Sequence, residues 1–371
     1  MAAHNRSALR KGAITPRDLT IHLTLQCPLK CSHCCVSSDM HKKGHLDLAS
    51  VLRLVDEAAT FSTIEMIHFV GGDPFLHQDI MEAAFRHIAS KGLLSAAVTS
   101  AYWATSQEKA DRILKTLAGA GLNQLTISYD DQHAEFVSEE KIVFAYRAAT
   151  ALGITTLISI VADPAAKINK AYMQRLLGSE ANITEAAVNS TGRALEDATP
   201  ELLESRRTNE LAYRGPCKSM LRQISVHESG ALTPCCGVIP MRDGLQFGNI
   251  HRDTLDDAVN RAFNNPVYKW IAFEGPVAIL RQITASTEHP LKDEDFDGIC
   301  HACDVLFTTP EYLQLLTEAL PLKEPSLQLQ EAVSSSIGLF QMPDSNGGGA
   351  KVERRQRQLP VLQGQRLEGS V

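Results

Sequence analysis

The cysteines are the residues of this chain whose type and spacing are best suited to chemistry. There are nine, of which four lie within residues 27–35 and five within residues 217–303, with none between the two groups. In a reducing compartment, clustered thiols are more often metal ligands or catalytic groups than disulfide partners. The odd number is a further argument against a purely disulfide framework. The distribution therefore predicts two thiol-based centres.

The first group has the spacing C-x3-C-x2-C, formed by Cys27, Cys31 and Cys34. Three thiolates on one short loop can each bind a different iron of a four-iron cubane, which leaves the fourth iron open to a substrate or cofactor. A structural zinc ion is the alternative, because Cys35 or His33 could complete a set of four ligands. The spacing alone leaves both kinds of metal centre open.

Alternating strand-like and helix-like segments fill the first two hundred residues and must position this loop. The hydrophobic pattern predicts strands over 19–25, 64–70, 93–99, 124–129, 155–161 and 186–190. It predicts helices over 46–61, 77–90, 107–120, 139–152 and 171–177. Such strict alternation implies the α/β class, with parallel strands joined by right-handed crossovers.

Six units are too few for a closed eight-fold barrel, and a doubly wound sheet would also fit the pattern. The polar residues favour one of the two folds, because Cys27, Gly71, Thr99 and Asp130 each follow the carboxyl end of a predicted strand. α/β barrels place their chemistry at that end. We therefore expect an open, partial (β/α)6 TIM-like barrel.

The pattern changes after residue 200. A short hairpin is predicted over 224–233 and a helix over 253–263, followed by helices over 310–320 and 326–337. A tail that begins at Gly347, rich in glycine and charge, is predicted to be flexible. The expected division is a polar segment over 1–16, a barrel core over 17–200, a small domain over 201–310, and helices and tail over 311–371.

Composition limits the classes of function. The chain has 371 residues, 44% of them hydrophobic, and a formal net charge of −7. This acidic balance argues against a nucleic-acid partner, which favours a basic surface. The sequence has no apolar run of about 18 residues and no secretory signal, so we expect no membrane span and a cytoplasmic protein.

The motif of Cys27, Cys31 and Cys34, placed after the first strand, resembles the signature of the radical S-adenosylmethionine (radical SAM) superfamily. This resemblance implies a [4Fe-4S] cluster whose open iron chelates the amino and carboxylate groups of S-adenosylmethionine. Reductive cleavage of that cofactor would yield a 5′-deoxyadenosyl radical, which abstracts a hydrogen atom from the substrate. His33 lies where the family has an aromatic ring against the adenine.

Two further segments resemble parts of the family's cofactor site. Gly71-Gly72-Asp73-Pro74 resembles the G-G-E-P segment, whose backbone carbonyls accept hydrogen bonds from the methionine ammonium group. Ser100 lies where relatives carry a T-N-G-like segment after the third strand. An ordinary Gly-Pro turn is the alternative for residues 71–74.

The segments after the fourth and sixth strands add residues implied by the same resemblance. Ser128 and Asp130 resemble the S-x-D segment, with ribose or substrate contacts as their implied roles, and Asp130 and His133 are the catalytic candidates. Arg193 belongs to a G-R-A segment and could meet the cofactor carboxylate. A solvated loop for His133 and a surface position for Arg193 are the alternatives.

The second cysteine group resembles the auxiliary-cluster domains called SPASM and twitch. The pattern is C-x12-G-x4-C followed by a distant C-x2-C, and no cysteine follows Cys303, which implies a twitch-type domain with one auxiliary [4Fe-4S] cluster. Cys236 could replace Cys235, and a zinc ion remains the alternative. The implied ligands are Cys217, Cys235, Cys300 and Cys303.

The resemblance favours an oxidoreductase-like enzyme that modifies a ribosomally made peptide. A small-molecule radical SAM dehydrogenase or cross-linking enzyme is the alternative, and a zinc-stabilised binding protein is the hypothesis from another class. A reducing partner such as flavodoxin or ferredoxin is implied, because the cluster needs an electron.

Overall fold

The structure, a computed structural model, describes residues 14–163, 165–237 and 242–340. The predicted polar segment 1–16 therefore lies largely outside the described residues. The tail from Gly347 onward, predicted to be flexible, lies wholly outside them.

The first half of the chain repeats a strand and the helix that follows it. The strands of this half are β1 Asp18–Thr24, β2 Met66–Gly71, β3 Leu94–Thr99, β4 Leu122–Ser128, β5 Thr155–Ala162 and β6 Ile183–Ala187. The helices of this half are α1 Leu48–Ala58, α2 Gln78–Ser90, α3 Gln107–Ala120, α4 Asp131–Ala134, α5 Glu139–Ala151 and α6 Lys170–Leu177.

The second half adds short strands and a helical layer. The strands are β7 Gln223–Val226, β8 Ala231–Thr233 and β9 Gly248–Asn249. The helices are α7 Arg193–Glu196, α8 Pro200–Arg207, α9 Leu255–Phe263, α10 Pro266–Phe273, α11 Pro276–Ile283, α12 Ile299–Thr308 and α13 Pro310–Phe340.

Within the described residues the strands form one sheet in the order β6-β5-β4-β3-β2-β1-β7-β8-β9. Strands β1 to β6 are parallel, and β7 is parallel to β1, whereas β8 and β9 are antiparallel to their neighbours. The parallel strands bring their carboxyl ends to one edge, as the alternating sequence pattern predicts.

The sheet is curved, because the segments that follow its first and sixth strands touch. The backbone N–H of Arg193 donates to the carbonyl oxygen of Cys34 at 3.0 Å. A Cβ atom added to Gly192 would lie 2.3 Å from the carbonyl oxygen of Cys35. A flat sheet would hold these two segments five strands apart. The partial (β/α)6 barrel is confirmed over a doubly wound sheet.

Several helices, among them α1 and α3, begin at capping residues and bury one apolar stripe. The Asp47 side chain accepts from the N–H of Ser50 at the start of α1, and Ser106 caps α3 in the same way. Buried residues of α3 recur at helical spacing against the sheet. They are Ala110, Ile113, Leu114, Leu117 and Ala120.

Two predicted boundaries were wrong. Strand β6 covers Ile183–Ala187 rather than 186–190. The two predicted C-terminal helices are one helix, α13, that contains Pro321 and Pro325. Each proline removes a backbone donor from the helix. Tertiary packing offsets that loss, because Leu316 and Leu327 are buried in the cluster formed with α10, α11 and α12.

The Gly71-Gly72 segment packs directly on the end of β1, which generates a stability prediction. A Cβ atom at Gly72 would lie 1.9 Å from the carbonyl oxygen of Gln26, a backbone atom that cannot move aside. We expect Gly72→Ala to destabilise the protein by about 3 kcal/mol and to lower the midpoint of thermal unfolding. Gly119→Ala is the control, because no atom of the described residues outside its own helix lies within 4 Å of the added Cβ, and it should raise the midpoint slightly. Equal midpoints for the two variants would contradict the prediction.

A buried histidine pair between β1 and β7 predicts a pH dependence. His22 and His227 stack with ring centroids 4.5 Å apart. Burial lowers the pKa of His22 to about 4, and burial with the charge of His22 lowers the pKa of His227 to about 3. Below about pH 6.5 the unfolded chain binds protons that the folded chain does not, so stability falls as the pH drops from 6.5 toward 4.

Thermal unfolding midpoints of wild type and His227→Gln at pH 7 and pH 5 test this prediction. We expect a smaller loss on acidification in the variant. The exposed His41 provides the control substitution, and His41→Gln should keep the wild-type pH dependence. An unchanged pH dependence in His227→Gln would show that this pair does not titrate with unfolding.

Candidate active site

A cavity of about 310 Å³ opens at the carboxyl ends of the parallel strands. The Cys27, Cys31 and Cys34 side chains form part of its wall, together with Cys35 and the backbone of Gly71 and Gly72. Apolar side chains at the ends of β2, β3 and β5 complete much of the remaining wall. The structure therefore brings the first cysteine group to the place where barrels of this class carry chemistry.

The cysteine loop is held by its own backbone and supplies N–H groups to sulfur. The N–H of Leu29 donates to Cys27 Sγ at 3.4 Å, and the N–H of Ser38 donates to Cys34 Sγ at 3.3 Å. Burial, followed by the negative charge of Asp73, raises the pKa of Cys27 to about 12. Burial also raises the pKa of Cys31. A nearby metal cation would be needed to hold these groups as thiolates at neutral pH, so the donor set fits a metal cluster.

The spacing of the thiols separates a cluster from a single zinc ion. Ligand sulfurs on one tetrahedral zinc, with Zn–S bonds of about 2.3 Å, lie about 3.8 Å apart. Among the described residues, which include all nine cysteines, no three thiol sulfurs lie within 4.8 Å of one another. Thiols that bind different irons of one cubane lie farther apart than the ligands of a single ion. The described thiols are therefore not arranged as the ligand set of one zinc ion.

The Gly-Gly-Asp-Pro segment continues β2 along the end of β1. The N–H of Gly72 donates to the carbonyl oxygen of Thr24 at 2.7 Å, and the N–H of Asp73 donates to that of Gln26 at 2.9 Å. Gly71 has φ +132°, and its added Cβ would lie 2.1 Å from the Thr24 carbonyl oxygen. The two glycines are thus required by the close approach of β1 and still form part of the cavity wall.

Asp73 is buried, and its carboxylate is hydrogen-bonded to other groups of the protein. Its carboxylate accepts hydrogen bonds from Thr99 Oγ1 at 2.9 Å and from the N–H and hydroxyl of Ser100 at 2.9 and 2.8 Å. It also accepts from the N–H of Phe75, and Pro74 after it is buried as well. Burial raises the pKa of Asp73 against the effect of these donors. The carboxylate therefore joins the ends of β2 and β3, whereas Ser100 reaches the cavity.

His33, Asp130 and His133 form one hydrogen-bonded group. Asp130 Oδ2 lies 3.0 Å from His33 Nε2, and Oδ1 lies 2.7 Å from His133 Nδ1. Burial acts to raise the pKa of Asp130, but hydrogen bonds from His133 and His33 outweigh it and hold the pKa well below its usual range. Both histidines and Ser128 line the cavity, whereas Asp130 is fully buried behind them.

Arg193 is buried against the cysteine loop. Its Nη1 donates to the carbonyl oxygen of Cys31 at 2.8 Å, and Nη2 donates to that of Ser38 at 2.7 Å. Asp39 lies 3.8 Å from Nη2 and partly balances the charge. The alternative of a surface arginine is wrong, because Arg193 is 5% exposed.

The second cysteine group surrounds a smaller cavity of about 50 Å³. Burial raises the pKa of Cys217 to about 11, and a hydrogen bond with Cys236, followed by burial, raises that of Cys235. Here too a bound metal would be required to hold these groups as thiolates at neutral pH, so the donor set fits a metal centre. The cysteines that line this cavity are Cys217, Cys235, Cys236, Cys300 and Cys303.

Sequence reasoning missed the contacts that connect the two cysteine groups. Asp297 accepts from the N–H and hydroxyl of Ser190, which follows β6, and its Oδ1 lies 3.1 Å from His301 Nδ1. His301 lies between Cys300 and Cys303 on α12. No motif in the sequence pointed to Asp297. Only its position three residues before Cys300 could have drawn attention to it.

Comparisons with known proteins agree with this geometry. The model of the Radical SAM superfamily matches residues 21–164. The putative peptide biosynthesis protein YydG of Bacillus subtilis is 24% identical over 308 residues, which cover 80% of this chain and 93% of the relative. A PqqA peptide cyclase of Methylobacterium nodulans is 28% identical over 288 residues, which cover 65% of this chain and 72% of the relative.

The fold has a counterpart among solved structures. The structure described as native anSMEcpe with bound AdoMet and Cp18Cys peptide is 14% identical, with a TM-score of 0.51, and the alignment covers 87% of this chain and 99% of that chain. Within the described residues, no helix has the length and apolar character needed to cross a membrane. Residues 21–164 of the chain match a Radical SAM superfamily domain.

Proposed function

We propose that this chain is a radical SAM enzyme that modifies a ribosomally made peptide. The observation that carries the proposal is the placement of the three thiols of the C-x3-C-x2-C motif on the wall of a cavity at the strand ends. The names of the relatives YydG and PqqA peptide cyclase support a peptide as the substrate. A small molecule remains the second candidate, because the cavity of about 310 Å³ would also admit one.

The residues around the cavity have distinct proposed roles. Cys27, Cys31 and Cys34 would hold a [4Fe-4S] cluster, and the backbone of Gly71 and Gly72 would receive the methionine end of S-adenosylmethionine. With the cluster, that cofactor supplies one-electron cleavage to a 5′-deoxyadenosyl radical, which takes a hydrogen atom from the substrate. Further cofactor contacts are proposed for Ser100 and Ser128, which reach the same wall.

The buried polar residues would position this machinery. Asp73 fixes Ser100 through two hydrogen bonds, and Pro74 starts the turn that follows. Asp130 holds His33 and His133, so that His33 can present its ring to the adenine and His133 can face the substrate. We assign Arg193 to the cysteine loop rather than to the cofactor carboxylate, because its guanidinium group is engaged by backbone carbonyls.

The second cysteine group is proposed to hold one auxiliary [4Fe-4S] cluster in a twitch-like domain. Cys217, Cys235, Cys300 and Cys303 are the proposed ligands, and Cys236 lies on the same cavity wall and could take the place of Cys235. An auxiliary cluster could accept an electron from the substrate radical or help to position the substrate.

The remaining proposals concern organisation and partners. We propose a core over 17–200 and an auxiliary domain over 201–310, with C-terminal helices beyond. The need for an electron at the first cluster implies a reductant such as flavodoxin or ferredoxin. Buried thiols that must remain available to metal support a reducing, cytoplasmic environment.

The first cysteine group provides the direct test of radical chemistry. Anaerobically purified wild type should contain iron and sulfide and form 5′-deoxyadenosine from S-adenosylmethionine with dithionite. The triple change of Cys27, Cys31 and Cys34 to Ala should abolish this product, whereas Cys35→Ala should retain it. A pool of random dodecapeptides should stimulate wild type, and the matching mixture of free amino acids should not. A colourless protein with stoichiometric zinc, or stimulation by neither mixture, would contradict the proposal.

The auxiliary group is tested by iron content. We expect about eight irons per wild-type chain, for two [4Fe-4S] clusters, and about four in the double variant Cys300→Ala, Cys303→Ala. Peptide-independent 5′-deoxyadenosine formation should survive in that variant, because the first cluster remains. Cys235→Ala should lower the iron content and Cys236→Ala should not. Zinc in place of half the iron would contradict an auxiliary iron–sulfur cluster.

A further inference from the structure

Strand β6 is the last strand of the parallel part of the sheet. It pairs with β5 on one side, and within the described residues no strand pairs with its other side. An open strand edge presents backbone donors and acceptors to any other extended chain, and proteins commonly cover or blunt such edges. The open edge of β6 therefore raises the question of which extended chain pairs with it.

The register identifies the backbone groups on the open edge. The carbonyl oxygen of Asn182 accepts from the N–H of Ile158 on β5. In a parallel ladder the bonded residues alternate, so residues 182, 184 and 186 face β5. The N–H and C=O groups of Ile183, Glu185 and Ala187 therefore point away from the sheet.

The middle of this edge is exposed, whereas Ile183 and Ala187 at its two ends are 6% and 7% exposed, and the second end leads into the active-site cavity. Thr184, Glu185 and Ala186 are three consecutive exposed residues, although a strand with one covered face should bury alternate side chains. Ala186, Ala187 and the following Asn189 form part of the cavity wall. The small alanine side chains leave space for another chain at the point where edge and cavity meet.

The side chain of Glu185 does not block the edge. Its Oε1 accepts from the N–H of Lys170 at 2.5 Å, so the carboxylate is directed to the start of α6. The segment after β6 is fixed, because Arg206 contacts Asp163 at 2.6 Å and the carbonyl oxygen of Ala194 at 2.6 Å. The edge is thus a short, firmly supported template that ends at the cavity.

We propose that the substrate peptide binds in an extended conformation along the outer edge of β6. Its backbone pairs with the outward N–H and C=O groups of the exposed Glu185, and the residue to be modified reaches the cavity beside Ala186 and Ala187. Peptide binding by strand addition obtains affinity from backbone hydrogen bonds and therefore tolerates varied side chains. This inference rests on the proposed function, since it supplies the docking site for a peptide substrate.

Proline at position 185 is the variant that tests the edge. Glu185→Pro removes an N–H that points outward and leaves the ladder with β5 intact, which an edge position tolerates. Glu185→Ala is the matched control, because it removes the same carboxylate and keeps the N–H. The probe is the pool of random dodecapeptides, and the measured quantity is the peptide concentration that gives half of the maximal 5′-deoxyadenosine stimulation.

We expect Glu185→Pro to raise that concentration about tenfold, the effect of one lost backbone hydrogen bond of about 1.4 kcal/mol. Glu185→Ala should change it less than twofold, and both variants should keep the wild-type rate without peptide. A pool methylated on every backbone nitrogen should fail to stimulate wild type. This second measurement does not depend on the folding of any variant.

Several outcomes would overturn the inference. Stimulation of Glu185→Pro at the wild-type peptide concentration, or of wild type by the methylated pool, would exclude docking at this edge while the peptide proposal stands. Failure of the unmodified pool to stimulate wild type would instead remove the proposed function. A wild-type dimer that Glu185→Pro converts to monomers in sedimentation would assign the edge to a second copy of the chain.

Discussion

The contact between Arg193 and the cysteine loop is the interaction on which the site depends. A guanidinium group removed from water is strongly unfavourable unless its donors are satisfied. Here two of them meet the carbonyl oxygens of Cys31 and Ser38, while the neighbouring backbone donates to Cys34. Charge-assisted bonds of this kind contribute about 1.5 to 3 kcal/mol each. They join the loop after the first strand to the segment after the sixth, and so fix the curvature of the sheet and the width of the cavity.

Much of the fold could be predicted from sequence, because hydrophobic periodicity is local. Helix α3 has the predicted bounds, and β1 to β5 were found within a few residues of their predicted positions. The errors occur in elements whose bounds depend on packing against residues distant in sequence. Among the described strands β6 pairs with β5 alone, and three of its residues are exposed, so its hydrophobic pattern is weak. Helix α13 continues through two prolines because Leu316 and Leu327 anchor it, and α10 and α11 were not predicted.

The site could be predicted for the residues whose chemistry depends on type and spacing. Three thiols at fixed intervals define a loop, and the loop follows a strand, so their place needs no knowledge of distant contacts. The acids could not be predicted in this way. Asp73 and Asp130 were expected beside the cofactor or the substrate, yet both are buried and hydrogen-bonded to protein. Whether a carboxylate faces a ligand or a neighbouring strand depends on three-dimensional packing, which a motif does not contain.

The hydrogen bonds from Arg193 to main-chain oxygens also limit which sequence changes this loop can accept during evolution. Backbone carbonyls are present whatever the side chain, so the contact constrains the path of the loop and not its composition. Pro28, Lys30 and Ser32, between the cysteines, point to solvent. These three residues can be substituted during evolution without loss of the hydrogen bonds made by Arg193. An inserted or deleted residue would instead move the carbonyl oxygens beyond hydrogen-bond distance of its guanidinium group. Length, rather than identity, is what selection must preserve between these cysteines.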